Sequence, residues 1–412
     1  MNLSFYIAKR IAGSHSSGFS RFIIRLATIA TAISVAIMII SVAVVSGFKS
    51  NIRDKMFAFW GQIEITPFNA NPSYLINPDP ISYNGTLVRD VRELPGVQSI
   101  HPFILKPAIL HAENGAMEGL KLKGISPAYP LSSNAVIAFD DQSINFKTAA
   151  YSKDIILSQT TLNRLKSKVG DTLLAFFLDP DQQFPRVRKL HIAGTYHTGM
   201  SEVDQSFALC DIRLLRRISN WDSTAINGYQ VTVKDYKKAD AIGKKIYRTF
   251  LKPPLYTSTM EDIYPNIYGW LGLMDTNTYI ILIIMAVVSV INLSTALLIF
   301  ILERANMSGI LKSMGMPQIK LQGIFLYHAT IIAFKGIVFG TVFGLVFCLL
   351  QQHAPFIHLD ESAYYMKDMP IRIVAWQVIL IDVSTLVFCL IFMLIPSLFV
   401  RRISLIKAIR FR

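Results

Sequence analysis

The chain has 412 residues, of which 52% are hydrophobic and only 17% are charged, and its formal net charge is +14 at pH 7. This composition is too apolar for a typical soluble chain of that length, so it excludes an ordinary soluble domain and indicates a membrane protein. The positive charge is compatible with nucleic-acid binding, and its distribution along the chain has to decide between a nucleic-acid surface and a membrane topology signal.

Four long apolar stretches follow a short N-terminal segment, residues 1–21. We predict transmembrane helices at residues 22–47, 273–302, 321–350 and 373–400, because each stretch can cross a hydrocarbon core of about 30 Å at about 1.5 Å per residue. The first stretch is longer than the core of a signal peptide, and no small-x-small cleavage site ends it. We therefore expect a retained anchor rather than a cleaved export signal.

A domain of mixed α and β structure, residues 48–272, is inserted between the first and second predicted helices. We expect antiparallel strands and two lobes, and Cys210 is the only cysteine in this range, so no internal disulfide can stabilise it. Alternation and turn residues predict its elements. The predicted strands are residues 62–66, 97–110, 120–125, 155–157, 172–178, 189–195, 228–233 and 255–258; the predicted helices are residues 87–94, 161–169 and 236–251, the last one capped by Asp235.

Sequence motifs that identify common enzymes are missing. A phosphate-binding G-x-x-x-x-G-K-[ST] loop needs glycine where Lys238 precedes Gly243. C-x-x-C and H-E-x-x-H are also absent, so the sequence indicates no zinc site. A histidine, a serine and an aspartate lie together in residues 197–204, but neighbours along one loop seldom form a catalytic triad. We interpret that loop as a polar turn between strands.

The segment between the second and third helices, residues 303–320, has the features of a docking surface. Two adjacent helices need a connection of only a few residues, whereas this segment is about 18 residues long, displays apolar side chains between charged ones and is punctuated by Gly315 and Pro317. A mere connector is the alternative. The candidate docking residues are Glu303, Arg304, Gly309, Ile310, Leu311, Lys312, Met314, Gly315 and Met316.

Two ionisable residues lie within predicted spans, Lys335 in the third helix and Asp382 in the fourth. Intramembrane charge is costly, so each residue needs water, a partner or a path to the interface. If the third and fourth helices are antiparallel neighbours, the distances of Lys335 and Asp382 from the cytoplasmic ends of their helices permit an ion pair. The alternative is that each residue reaches the aqueous interface independently.

The basic residues are concentrated in short segments. Residues 1–25, 303–320 and 401–412 together contain twelve basic residues and one acidic residue, and they lie on one side if the chain crosses four times. The opposite short loop, residues 351–372, contains two basic and three acidic residues. This positive-inside pattern predicts that both termini are cytoplasmic, and it makes nucleic-acid binding the weaker explanation.

Several short strings, in their order along nearly the whole chain, resemble the permeases of the lipoprotein-releasing ABC transporter (LolC/LolE), within the larger FtsX/MacB-type permease superfamily. Two departures are clear: Ile395 stands where the family has tyrosine, and the third helix carries Lys335. The strings are Arg21-Phe22-Ile23, Val45-Ser46-Gly47-Phe48, Pro95-Gly96-Val97, Leu122-Lys123-Gly124-Ile125, Ile155-Ile156-Leu157-Ser158, Val169-Gly170-Asp171, Gly309-Ile310-Leu311-Lys312-Ser313-Met314-Gly315-Met316, Pro396-Ser397 and Lys407-Ala408-Ile409-Arg410.

The resemblance implies a permease of the bacterial inner membrane, with a MacB-like periplasmic domain and no ATPase site of its own. It implies a cytoplasmic ABC ATPase dimer that binds ATP and Mg, a second permease copy or a paralogue, a lipoprotein substrate and a periplasmic carrier. Closure of the ATPase would move residues 303–320, and the helices would pass that motion to the outer domain. In one paralogue of the family, a hook loop contacts the carrier; it would correspond to residues 178–188 and looks shorter here.

A lipoprotein also needs an apolar cradle for its acyl chains, among membrane lipid. Val42, Val44, Val45, Phe48 and Met56 are the candidates, near the end of the first helix. A MacB-like exporter of a small molecule or peptide is an alternative function, but such exporters usually carry the ATPase on the same chain. An FtsX-like signal transmitter is another alternative, but its outer domain is usually much smaller.

Overall fold

The computed structural model describes residue 6 and residues 18–68, 80–129, 137–140, 144–148, 150–177 and 184–398. The chain divides into two compact units. The first, the membrane bundle, comprises Met1–Ser50, Trp270–His358 and Asp368–Arg412. The second, the inserted domain, comprises Asn51–Gly269 and Leu359–Lys367.

Four of the described helices are long and apolar enough to cross a membrane, with candidate spans at Phe22–Trp60, Pro265–Glu303, Gln318–His353 and Ala375–Ser397. The α-helices are α1 (Gly18–Trp60), α2 (Gly85–Arg92), α3 (Gln159–Arg164), α4 (Ser201–Asp204), α5 (Ile212–Ser219), α6 (Ala239–Phe250), α7 (Met260–Ile263), α8 (Pro265–Glu303), α9 (Ala305–Ser313), α10 (Gln318–His353), α11 (Glu361–Tyr364) and α12 (Ala375–Ser397).

The first long helix continues well beyond the apolar stretch that predicts it. Polar residues from Lys49 onward end the hydropathy signal at about residue 47, but they retain helix propensity, and α1 continues to Trp60. Gly61 follows with φ of +72°, a backbone conformation that stops a helix and favours glycine. Similarly, α8 begins at Pro265, a residue that is favoured in the first turn of a helix.

The inserted domain is built on a mixed, mainly antiparallel sheet. The described strands are β1 (Ile63–Pro67), β2 (Ile81–Ser82), β3 (Val97–Ala112), β4 (Met117–Ile125), β5 (Ala138–Asp140), β6 (Asp154–Ser158), β7 (Thr172–Phe177), β8 (Arg186–His197), β9 (Phe207–Asp211), β10 (Ala225–Ile226), β11 (Gly228–Val233) and β12 (Leu255–Thr259). The strand order of the sheet is β12-β1-β11-β3-β4-β9-β6-β8-β5, and β7 pairs with β3 and β8. Parallel pairing joins β4 to β9 and β6 to β8.

Most predicted elements of this domain are present, with shifted ends. The predicted hairpin is the antiparallel pair β7 and β8. The helix predicted at residues 161–169 ends at Arg164, because Lys166 adopts a positive φ of 49°. Asp235 caps a 3₁₀ turn, Tyr236–Lys238, by accepting a hydrogen bond from Lys237 N at 3.1 Å, and α6 continues from there. The core lies where α2, α5 and α6 cover the sheet with Val91, Leu215 and Ile246, among others.

The membrane bundle has its own apolar core. Leu297 and Phe300 of α8 pack with Phe325 of α10 and Met393 of α12. Glycines 336, 340 and 344 of α10 are spaced four residues apart, and side-chain atoms added there would meet residues of α1. Small residues at this spacing let two membrane helices approach closely.

Candidate coupling segment and associated sites

The predicted docking segment folds as a short helix, α9, between two long ones. Its C-terminus is set by the sequence: Met314 is the C-cap, Gly315 has φ of +86°, and Met316 N donates to Leu311 O at 3.1 Å. Pro317 then caps the start of α10. This is a glycine-terminated helix end, which is the punctuation that the sequence predicts.

The two faces of α9 have different environments. Leu311 and Met316 pack against the apolar core of the bundle, and Ser308 and Gly309 are buried. On the opposite side, Ile310 is 57% exposed and Met314 is 78% exposed. These two residues are four positions apart and therefore share one face of the helix and its end. The result is a small apolar surface, the Ile310–Met314 patch, on a helix whose other face is packed.

The charged residues of the segment differ in their exposure. Glu303 is exposed, whereas Arg304 and Lys312 are half-buried. The carbonyl of Arg304 accepts a hydrogen bond from Ser308 Oγ at 3.0 Å. Lys312 lies in the last turn of α9, where a cation is favoured by the helix dipole. The predicted residues thus extend from Glu303, the last residue of α8, through α9 to Met316, just before α10.

The predicted acyl-chain cradle is not open as a whole. Phe48 is 6% exposed and Met56 is 1% exposed, so both side chains are occupied by protein packing. Met56 belongs to the part of α1 that extends into the inserted domain, which the hydropathy pattern did not reveal. Val42, Val44 and Val45 are partly buried and lie on the segment of α1 within the bundle. The prediction is thus wrong for Phe48 and Met56 as accessible cradle residues.

The two charged intramembrane residues lie apart in this chain. The Asp382 carboxylate accepts a hydrogen bond from Thr341 Oγ1 at 2.8 Å, and Thr341 lies six residues beyond Lys335 on α10. Lys335 is exposed on the bundle surface, and among the described residues no ion pair joins it to Asp382. Among the described residues, the hydrogen-bond partner of the Asp382 side chain is therefore a hydroxyl group.

The hook-like loop predicted at residues 178–188 falls largely outside the described residues, because its first six positions, 178–183, are not among them. The strands that flank it, β7 and β8, pair directly from Phe177 and Arg186 inward. Carrier docking at this loop stays a prediction.

One polar cluster at the end of β8 was missed by the sequence interpretation. His197 Nε2 lies 2.6 Å from Glu361 Oε1, and His197 Nδ1 lies 3.4 Å from Asp204 Oδ2. The buried Asp204 carboxylate accepts hydrogen bonds from Thr198 Oγ1 at 2.7 Å and from Gly199 N at 2.9 Å. Burial raises the pKa of Asp204 above its ordinary value, although these hydrogen bonds act in the opposite direction. The cluster positions the short segment Leu359–Lys367 on the inserted domain.

No local signal could reveal this contact, because Glu361 lies 164 residues after His197. His197 Nε2 faces Glu361 and His197 Nδ1 faces Asp204, so the histidine and the aspartate of residues 197–204 take part in a structural cluster. Among the described residues, no group of three or more histidine, cysteine, aspartate or glutamate side chains is arranged to hold a metal ion.

A second missed feature is a fully buried lysine on β4. Lys123 Nζ donates to the carbonyl of Phe59 and to Gln230 Oε1, the latter at 2.8 Å. The ammonium also lies 4.6 Å from the ring centroid of Phe59 and 4.4 Å from that of Trp60. Burial lowers the pKa of Lys123 and raises the pKa of Glu64, whose charges attract each other. Lys123 thus holds the C-terminal end of α1 to the sheet.

Two family descriptions match the chain. Residues 26–248 match the MacB-like periplasmic core domain, and residues 279–405 match the FtsX-like permease C-terminal region. The first match contains most of α1 and the inserted domain as far as α6. The second begins within α8 and includes α9, α10 and α12.

Two relatives match nearly the whole chain, and one solved structure is similar over part of it. The lipoprotein-releasing system transmembrane protein LolC of Xylella fastidiosa is 21% identical over 410 residues, which cover 96% of this chain and 95% of that protein. The corresponding LolE protein of Haemophilus influenzae is 21% identical over 417 residues, which cover 96% of both chains. The crystal structure of the periplasmic region of MacB from Actinobacillus actinomycetemcomitans covers 54% of this chain and 97% of its own, with 13% identity and a TM-score of 0.36.

Proposed function

The chain belongs to the inner-membrane ABC transporter permeases that carry a MacB-like periplasmic core domain and an FtsX-like C-terminal region, and we propose that it releases lipoproteins from that membrane. In this proposal a separate cytoplasmic ATPase dimer binds ATP and Mg, and this chain supplies no catalytic residue. A second copy of the chain or a paralogue completes the permease, and a periplasmic carrier accepts the lipoprotein. The similarity to LolC and LolE along nearly the whole chain supports this substrate class.

The observation that carries the proposed coupling to a cytoplasmic ATPase is the exposed Ile310–Met314 patch on α9. An apolar surface on a short helix is costly in water unless a partner covers it. An ATPase that bears a hydrophobic groove fits the geometry, because an amphipathic helix presents anchors at positions i and i+4 to such a groove. Both termini and α9 then lie on the cytoplasmic side, as the distribution of basic residues predicts.

Motion of α9 has a defined route into the bundle. Leu311 packs against the cluster that contains Phe300 of α8 and Phe325 of α10, so displacement of α9 displaces these helices. Close-packed side chains transmit such shifts because they cannot be compressed. On the same bundle, Lys49 Nζ of α1 and Asp275 Oδ2 of α8 are 2.5 Å apart, which links the two helices that lead into the inserted domain.

The proposed substrate site lies on the partly exposed segment of α1 within the membrane bundle. Val42, Val44 and Val45 are the proposed acyl-chain contacts, whereas Phe48 and Met56 are committed to packing. Photo-crosslinking from position 44 or 45 to a radiolabelled acyl chain tests this assignment. A crosslink confined to α10 and α12 would contradict it.

The function is tested by replacing the native gene with variants in which the patch is charged, Ile310→Asp and Met314→Asp. We expect loss of ATPase co-purification and retention of outer-membrane lipoproteins in the inner membrane. Gln318→Asp is the matched control, because Gln318 is also exposed in the same segment but is polar in the native chain. A second experiment depletes the protein from the cell. Normal lipoprotein sorting in the depleted cells would contradict the proposed function. Defective export of a small molecule would then favour an exporter, and defective cell-wall hydrolysis would favour a signal transmitter.

A further inference from the structure

The inserted domain contains a cleft of about 380 Å³ between α2, β3, α5 and the turn before β10. Its apolar wall includes Val88, Ile100, Pro102 and Ile212. This volume lies at the small end of the range for small-molecule sites, about 300–1,000 Å³. The cleft therefore suits a compact molecule or a head group rather than a whole lipid.

The polar lining of the cleft is cationic. Arg92, Arg213 and Arg216 contribute the positive charge, His101 lines the cleft beside them, and none of its described lining residues is acidic. We call it the basic cleft. Arg213 is already committed, because its guanidinium lies 2.7 Å from the buried Asp211 carboxylate and donates to the carbonyls of Phe146 and Thr148. Arg92 and Arg216 are left to provide the charge.

Arg216 is oriented by a backbone hydrogen bond, and the carboxylates of Asp211 and Asp222 attract its charge without forming an ion pair with it among the described residues. Its Nε donates to the carbonyl of Ala225 at 2.8 Å, which fixes the plane of the guanidinium. Its two terminal nitrogens make no hydrogen bond or ion pair with the described residues. The nearby Asp222 carboxylate instead accepts from Ser223 N at 2.7 Å and from Thr224 Oγ1 at 2.9 Å. A guanidinium held in this way retains the pair of donors that matches a phosphate oxygen pair.

His101 is the second sign of a ligand. Its side chain is only 8% exposed, it lines the basic cleft, and it forms no hydrogen bond with the described part of the chain. Its ring packs against that of Tyr129 at 6.0 Å. Burial, together with the charges of Arg92 and Lys123, lowers its pKa, so the neutral ring offers one N–H donor at pH 7. Neither ring nitrogen of His101 is among the fully buried polar atoms that lack a hydrogen bond, so both remain accessible from the cleft.

We propose that the basic cleft binds a phosphate-bearing head group, with Arg92 and Arg216 as the counter-charges and His101 as a neutral donor. Two guanidinium groups and an imidazole on separate elements offer donors to more than the two oxygens of a carboxylate. The apolar wall accommodates the short carbon body attached to the phosphate. The assignment stands on the geometry of the inserted domain alone and does not depend on lipoprotein release.

The test uses the full-length protein in detergent and isothermal titration calorimetry with four probes: inorganic phosphate, glycerol 3-phosphate, dihexanoylphosphatidylglycerol below its micellar concentration, and hexanoate. We expect saturable binding of at least one phosphate probe, weakened tenfold or more in Arg216→Gln and in Arg92→Gln. Arg217→Gln is the matched control, because Arg217 neighbours Arg216 on α5, is exposed and does not line the cleft. It should change the dissociation constant less than twofold.

The probes distinguish the sources of the phosphate. Tighter binding of the lipid than of glycerol 3-phosphate assigns a lipid head group, and equal or weaker binding of the lipid assigns a free phosphate compound. Absence of saturable phosphate binding, binding of hexanoate alone, or equal losses in all three variants would overturn the proposal. Arg92→Gln keeps the test valid if Arg216→Gln disturbs folding, because Arg92 is exposed.

Discussion

His197 at the end of β8 and Glu361 in α11 are 164 residues apart in sequence, yet Nε2 and Oε1 lie 2.6 Å apart. The same segment, Leu359–Lys367, is held at a second point, where Lys55 Nζ donates to the carbonyl of Tyr365 at 2.6 Å. The Tyr365 hydroxyl in turn donates to Glu202 Oε1 at 2.7 Å. A short connection between two membrane helices is thereby integrated into the inserted domain.

Replacing Glu361 with glutamine should loosen this segment. The amide keeps the shape of the side chain but removes the charge that strengthens the bond to His197, a loss of about 1 kcal/mol for a pair whose side chains are 33% and 28% exposed. Hydrogen exchange at residues 359–367 should therefore become roughly fivefold faster. Lys367→Gln is the control, because its ammonium is 3.9 Å from Glu361 Oε2 and its side chain is 73% exposed. Equal exchange in the wild type and in Glu361→Gln would contradict a tethering role.

Gly199 should tolerate no side chain. It has φ of +71°, and a Cβ atom there would lie 2.8 Å from Glu361 Oε1 and 2.8 Å from the Tyr365 carbonyl oxygen. Gly199→Ala should destabilise the inserted domain by about 2 to 4 kcal/mol, because backbone strain and steric overlap add.

The matched control for this substitution is Gly115→Ala. Gly115 has a comparable φ of +87°, but no atom lies within 4 Å of its added Cβ, so only the backbone strain of about 1 kcal/mol remains. Denaturant unfolding of both full-length variants measures the difference. Equal losses would show that the contact with Glu361 and Tyr365 contributes nothing.

Helix packing in the membrane bundle should depend on Gly340. A Cβ atom at this position would lie 2.5 Å from the Ala32 carbonyl oxygen of α1, whereas one at Gly344 would lie 3.3 Å from Ala36 Cα. We expect Gly340→Ala to lower the thermal midpoint in detergent, at a cost of roughly 1–3 kcal/mol, and Gly344→Ala to cost less. Gly272→Ala in α8 meets no atom within 4 Å and should be neutral or stabilising. A reversed order would show that α1 and α10 can move apart without penalty.

The sequence predicts those features of the fold that depend on local patterns. Hydropathy locates the four long helices, alternation locates strands such as β3 and β4, and glycine and proline locate the end of α9. The contacts around Lys123 were not predictable in this way. Lys121 and Lys123 alternate with leucines on β4, a pattern that predicts a solvent-facing side. That side of Lys123 is covered by Phe59 and Trp60, because α1 continues 13 residues beyond its apolar stretch.

The candidate site shows the same division between local and long-range information. The apolar residues Ile310 and Met314 could be read from one short segment. Exposure of both side chains depends on which face of α9 packs against Phe300 and Phe325, and those residues belong to other helices. Likewise, Phe48 and Met56 have the composition of an apolar surface, and only tertiary packing removes them from it.

Protonation of His101 should make the inserted domain less stable in mild acid. Its pKa in the folded protein is lowered by burial and by the charges of Arg92 and Lys123, and Tyr129 packs against its ring. The unfolded chain therefore binds the proton more readily, so stability is full above the ordinary histidine pKa of about 6.5 and falls as the pH drops below that value.

His101→Gln should flatten this part of the pH profile, since glutamine does not titrate. Hydrogen exchange of β3 and β11, corrected for its intrinsic pH dependence and compared between pH 7.5 and 5.5, measures the effect in the full-length protein. His111→Gln is the control, because His111 lies on the same strand but is only half-buried, against Phe176. An unchanged acid sensitivity in His101→Gln would assign the loss of stability to other groups, because the neutral side chain removes the only proton that this position can bind.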